Sequence, residues 1–140
     1  MNRIEEIFRN DRLIQDFGMK LIEAREGYAK VSVAVEDRFL NAHKIGHGVL
    51  LFAAADAAFA LSVNAVTDSL SIQWSLNVIR AAMPGETVIG ESQIIHKGRK
   101  MMVCDLTVTA GDGRMLAKGQ ATALPVPRDT YEEGTRKKRV

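Results

Sequence analysis

The stretch that decides the reading runs Asn41-Ala-His-Lys-Ile-Gly-His47-Gly48 and continues Val49-Leu-Leu-Phe-Ala-Ala-Ala-Asp56-Ala-Ala-Phe-Ala-Leu-Ser-Val63. Its second half predicts a helix that is apolar on almost every side. Such a helix has to be wrapped by other elements rather than lie on a surface. It falls short of the ~20 residues that span a bilayer, and Asp56 interrupts it. An apolar helix tolerates an ionisable group only where that group has a partner or a purpose. The polar residues just upstream supply the other half of a candidate site.

The pattern changes on either side of this helix. Downstream, Leu70, Ile72, Trp74, Leu76 and Val78 alternate with Ser69, Ser71, Gln73, Ser75 and Asn77. This predicts a strand with its apolar face on the core. The opposite face is polar but uncharged and suits a site or a subunit interface. Met83-Pro-Gly-Glu is a turn, residues 87–96 a strand, Lys97-Gly-Arg-Lys a basic turn, and residues 101–110 another strand. Gly111-Asp-Gly-Arg signals a hairpin into a last strand at 115–124, and Pro125 and Pro127 stop the sheet. Upstream, Ile4, Ile7, Phe8, Ile14 and Phe17 predict one amphipathic helix over residues 2–17, ended by Gly18. Two strands follow around Glu26-Gly27. Short turns between the later strands require antiparallel neighbours.

The chain has 140 residues, 46% apolar and 26% charged, enough for one domain over residues 1–126. Residues 127–140 are expected to form a basic, disordered tail. A net charge of +2 gives no nucleic-acid signature. The single cysteine, Cys104, rules out an internal disulfide and fits a reducing compartment, where it serves as a small buried hydrophobe. The N-terminus carries no signal-peptide core, so a soluble cytoplasmic protein without membrane partners is expected.

A helix followed by two strands, a long apolar helix and four strands resembles the hotdog fold, an α+β architecture in which a curved antiparallel sheet wraps one central helix. The segment from Asn41 to Ala60 also resembles the signature of hotdog acyl-CoA thioesterases, in particular the PaaI-like branch named for phenylacetic acid degradation. That signature has an Asn, a His-Gly-Gly whose first Gly lies seven positions on, and an acid eight beyond that Gly. Asn41, Gly48 and Asp56 keep both spacings. The likeness continues through Pro84-Gly85-Glu86, His96-Lys-Gly98-Arg and Gly111-Asp-Gly113, covering roughly residues 20–124. The second Gly of the triplet is Val49 here, which moves the motif toward the His-Gly-apolar sequence of hotdog hydratases.

The resemblance implies hydrolysis of small acyl- or aryl-acyl-CoA, with phenylacetyl-CoA the first substrate to try. It makes Gly48 N–H the oxyanion donor and Asp56 the general base or nucleophile. Asn41 would hold the thioester or the lytic water, His47 would orient the loop, and Ser71 would orient water. Coenzyme A enters as part of the substrate, with no further cofactor. Lys97, Arg99 and Lys100 are the candidates for its phosphates. Gly48 and Asp56 lie roughly 12 Å apart along a regular helix. One protomer is therefore not expected to bring both to the same carbonyl, and the resemblance implies a site shared across a homodimer, which in this branch assembles to a homotetramer. Two rivals remain: an enoyl-CoA hydratase or dehydratase using His43 or His47, and a non-catalytic acyl-CoA sensor. His43 and His47 are four apart, but the intervening Gly46 and the loop context argue against a metal pair, and no metal site is expected.

Overall fold

The long apolar helix, α3 (Gly48–Asn64), sits inside the molecule with most of its side chains buried. Its alanines let it press directly on the sheet: a Cβ on Gly90 of the facing strand would collide with the backbone of Ala54. The computed structural model describes residues 2–127. The expected tail lies, apart from Pro127, outside the described residues.

Six antiparallel strands wrap α3: β1 (Lys20–Arg25), β2 (Tyr28–Ala34), β3 (Ser69–Val78), β4 (Thr87–Lys97), β5 (Met102–Ala110) and β6 (Met115–Pro125). Their order across the sheet is β1-β2-β4-β5-β6-β3, so β3 is an edge strand. Alternate residues of β2, β4, β5 and β6 face the helix: Ala29, Val31 and Val33, then Val88 and Gly90, then Cys104, Leu106 and Val108, then Ala117, Ala121 and Ala123. Ser92 and Ser62 are buried and share a 3.0 Å hydrogen bond between β4 and α3. This pairing satisfies both hydroxyls and pins the helix against the strand. Burial pushes the Cys104 thiol up, against the opposing pull of hydrogen bonds from Ser92 and Ser62.

Two sequence expectations need correction. The single helix over residues 2–17 is two short helices, α1 (Arg3–Asn10) and α2 (Arg12–Asp16). Asp11 between them takes extended backbone angles, and its carboxylate accepts the Ile14 N–H at 3.0 Å as the cap of α2. A strong N-cap residue restarts a helix where the apolar period alone reads straight through. The second correction concerns β3. Leu76 packs partly against the core, but Leu70, Ile72 and Val78 do not and are 39%, 49% and 55% exposed. A bulge between Ser71 and Gln73 also breaks its alternation at Ile72. Ser71 pairs with Ala123 and Trp74 with Ala121, both buried under α3, so Ser71 and Trp74 share the helix-facing side. Period two predicted opposite sides for them.

Candidate active site

The segment before α3 is a folded loop rather than a passive link. The Asn41 Oδ1 accepts the His43 N–H at 2.9 Å and the Ile45 N–H at 3.4 Å, while Leu40 and Gly46 form an isolated antiparallel bridge. Gly46 N–H reaches the Ala82 carbonyl at 2.7 Å, and His47 N–H the Phe39 carbonyl at 2.8 Å. With its oxygen spent on the loop, Asn41 has its amide NH2 left to offer a ligand.

His47 is the N-cap of α3, and its Nδ1 accepts the Val49 N–H at 3.1 Å. The first N–H groups of a helix have no partner within it. His47 takes one of them, and the Gly48 N–H has no acceptor among the described residues. Gly48 is exposed, and a Cβ built there would meet nothing within 4 Å. The helix therefore begins with a free donor in open space at the positive end of its dipole, an arrangement that favours an anion.

Beside this donor lies a cleft of about 230 Å³ lined by Phe17, Arg38, Phe39, Leu40, Val49 and Leu50. Phe17 and Phe39 pack with ring centroids 4.9 Å apart. The Arg38 guanidinium covers the Phe39 ring at 4.5 Å and donates to the Asp16 carbonyl at 2.6 Å. Val49 stands at the edge of this cleft, 59% exposed.

Asp56 is half-buried further along α3. Trp74 Nε1–H donates to its Oδ1 at 2.7 Å, and the Trp74 ring packs on Phe52 with centroids 5.8 Å apart. Burial raises the Asp56 pKa; the Trp74 hydrogen bond opposes this, and the charge of Asp11 adds to it. A carboxylate held above its ordinary range is suited to taking a proton.

The structure thus gathers Asn41, His47 and Gly48 at one end of α3. It places Asp56 and Ser71 on the α3–β3 side, away from that donor within the chain. Lys97, Arg99 and Lys100 are exposed in the β4–β5 turn. That turn belongs to the opposite end of the sheet, where Ile94 N–H meets the Gly27 carbonyl and Gly27 N–H meets the Ser62 carbonyl near the end of α3. One chain alone does not bring these cations to Gly48. Sequence reasoning missed Trp74 as the partner of Asp56 and the aromatic cleft at Phe17 and Phe39. The first left a trace as the chain's single Trp in an otherwise uncharged polar strand. The second is assembled from distant segments. Among the described residues, no three His, Cys, Asp or Glu side chains gather to hold a metal ion.

Residues 43–117, more than half of the chain, match the family model described as the thioesterase superfamily. The chain belongs to the thioesterase superfamily. Within this superfamily it is PaaI-like and has the hotdog fold. It is 32% identical over 124 residues to an Archaeoglobus fulgidus protein named as a putative esterase, an alignment covering 88% of this chain and 80% of that one. It is 29% identical over 103 residues to the acyl-coenzyme A thioesterase PaaI of Escherichia coli, covering 73% of this chain and 74% of that protein. The solved structure of the E. coli PaaI protein superposes with a TM-score of 0.86 at 25% identity, over 89% of this chain and 91% of that one. The crystal structure of smu.793 from Streptococcus mutans bound to acetyl CoA superposes with a TM-score of 0.75 at 25% identity, over 79% of this chain and 90% of that one. Among the described residues, no helix of this thioesterase-superfamily chain is long and apolar enough to cross a membrane.

Proposed function

We propose that the protein hydrolyses small acyl- or aryl-acyl-CoA thioesters to the free acid and CoA. The observation that carries this reading is the unpartnered Gly48 N–H, in open space at the start of α3 and flanked by residues of an apolar cleft. A thioester carbonyl placed there develops its negative charge against that donor, an interaction worth about 3 kcal/mol in the transition state. The Asp56 carboxylate takes a proton from water as the water oxygen bonds to the carbonyl carbon. The tetrahedral oxyanion then collapses, the C–S bond breaks, and Asp56 returns the proton to the departing thiolate. Its raised pKa suits this general-base role. Engagement of His47 Nδ1 as a helix cap weighs against a hydratase that would use His47 for proton transfer.

The site is completed by a second copy of the chain. β3 offers a free strand edge and exposed apolar side chains, a surface that monomeric proteins cover or blunt. Two chains meeting along β3 would set the Gly48 of one against the Asp56 of the other, and bring the Lys97–Lys100 turn of one chain toward the CoA phosphates bound at the other. The relative solved with acetyl CoA supports a CoA thioester as ligand. The cleft supports the acyl class: an apolar cavity of about 150 Å³ holds benzene. The ≈ 230 Å³ here would accept a phenylacetyl group or a medium-length chain.

The test is thiol release from phenylacetyl-, benzoyl- and medium-chain acyl-CoA by wild type and Asp56→Asn. Turnover lost in the variant with the oligomer intact supports the reading. Equal turnover removes Asp56 from the mechanism, and no release from any thioester overturns the proposal.

A further inference from the structure

The Trp74–Asp56 contact carries more than a packing role. Strict alternation from Ser71 would send Gln73 toward the helix and Trp74 away from it. The bulge at Ile72 reverses this, and the register sets Trp74 opposite the small, buried Ala121. The indole is then wedged against Phe52, one turn before Asp56 on α3, with its N–H on the carboxylate at 2.7 Å. An edge strand disrupted by a bulge to re-aim one side chain is a recurring device beside active sites. Among the described residues no other side chain or backbone donor reaches the Asp56 carboxylate.

We propose that Trp74 is the positioning residue for Asp56, holding Oδ1 so that Oδ2 is presented as the proton acceptor. The indole nitrogen donates and cannot accept, so Trp74 orients the carboxylate without relaying protons. The assignment rests on the thioesterase reading of Asp56. The hydrogen bond favours the ionised form and opposes the effect of burial, keeping the base usable near neutral pH. Asp11, the N-cap of α2, is the charged group that acts on Asp56 through space in the opposite sense.

The test pairs kinetics with fluorescence, using the chain's single Trp as its own reporter. Trp74→Phe keeps a ring on Phe52 and deletes the donor. It is expected to lower kcat about ten-fold at neutral pH, the usual scale for a hydrogen bond to a charged group. KM should be unchanged and the acid limb of the kcat profile displaced to higher pH. In wild type, Trp emission should titrate with the same midpoint as that limb. The titration should vanish in Asp56→Asn and move to lower pH in Asp11→Asn, which still caps α2. A uniform drop in Trp74→Phe with an unmoved pH profile would mark a purely structural role and overturn the proposal. So would emission that ignores pH or still titrates in Asp56→Asn. Emission that titrates with Asp56 while no acyl-CoA releases thiol would leave the hydrogen bond standing but overturn the thioesterase reading, and the positioning role with it.

Discussion

His47 Nδ1 accepts the backbone N–H of Val49 at 3.1 Å, and this bond helps decide which donor at the start of α3 remains free. The His47 backbone is extended, and the Gly48 N–H has no acceptor among the described residues. His47→Ala removes the cap and should cost about 1 kcal/mol of stability, the usual loss for an N-cap truncated to alanine. His47→Asn restores a capping oxygen but cannot act as an imidazole acid or base. On the proposed reading it should therefore retain thiol release within about five-fold while Ala loses more, because an Asn side chain replaces the cap and not a proton-transfer group. Urea melts and kcat for the two variants check this. Near-complete loss in Asn would return the hydratase reading.

Asp56 should be a group that function needs and folding resists. Burial raises its pKa in the folded state, so as pH rises the unfolded chain releases this proton first. The stability tied to the protonated carboxyl is fully present below the ordinary carboxylate range and is lost as pH climbs through the raised folded value. Asp56→Asn keeps an oxygen for the Trp74 N–H and has no charge to bury. Its Tm should exceed that of wild type at neutral pH, and the gap should close as both are acidified toward pH ~3, below the unperturbed Asp pKa. Thermal melts across that range read the effect directly, and an equal gap at every pH would contradict it.

Much of this architecture could be read from sequence because single-segment chemistry determines it. The run from Val49 to Val63 reads as a wrapped helix, and the buried α3 forms there; the Asn41–Gly48–Asp56 spacing singled out the candidate donor and the candidate acid. What escaped depends on pairs of segments. The Asp11 cap competes with an unbroken apolar period. The Ile72 bulge is set by the register of β3 on β6, and one shifted residue exchanges the faces of a strand. The exposure of Leu70, Ile72 and Val78 was hidden for a different reason: an apolar stripe reads the same whether it packs on the core or faces outward.

Val49 stands where the resembling signature has a second glycine, at the edge of the cleft formed with Phe39 and Leu40. Its side chain should set the upper size of the acyl group. Val49→Gly should raise kcat/KM for longer or bulkier acyl-CoA relative to phenylacetyl-CoA by about ten-fold, the scale of one or two methylenes in an apolar pocket. Val49→Leu should shift the preference the other way. The check is the ratio of kcat/KM values across the panel, which cancels any common loss. A ratio unchanged in both variants would place the acyl group elsewhere.

The proposed sharing of the site between two chains gives the most discriminating prediction. Gly48 is the first residue of α3, a position where proline is well tolerated and its missing N–H costs the helix nothing. The preceding residue, His47, already has φ −61° and ψ 137°, the backbone a residue before proline prefers. Open space around Gly48 leaves room for the ring. Gly48→Pro should therefore fold, keep its oligomeric state and lose activity by about a hundred-fold, as for removal of one oxyanion donor. Asp56→Asn should be similarly inactive. Mixed by co-refolding, the two should form hybrids in which one site of the pair joins an intact Gly48 from one chain to an intact Asp56 from the other. Random two-fold pairing would then restore about a quarter of wild-type activity. The same hybrid should fall apart and lose that activity when Ile72→Lys, on the exposed β3 edge, is added to both chains. Sedimentation and thiol release on one sample measure both effects. Failure of complementation between two folded, mixed variants would confine Gly48 and Asp56 to one chain and remove the shared site.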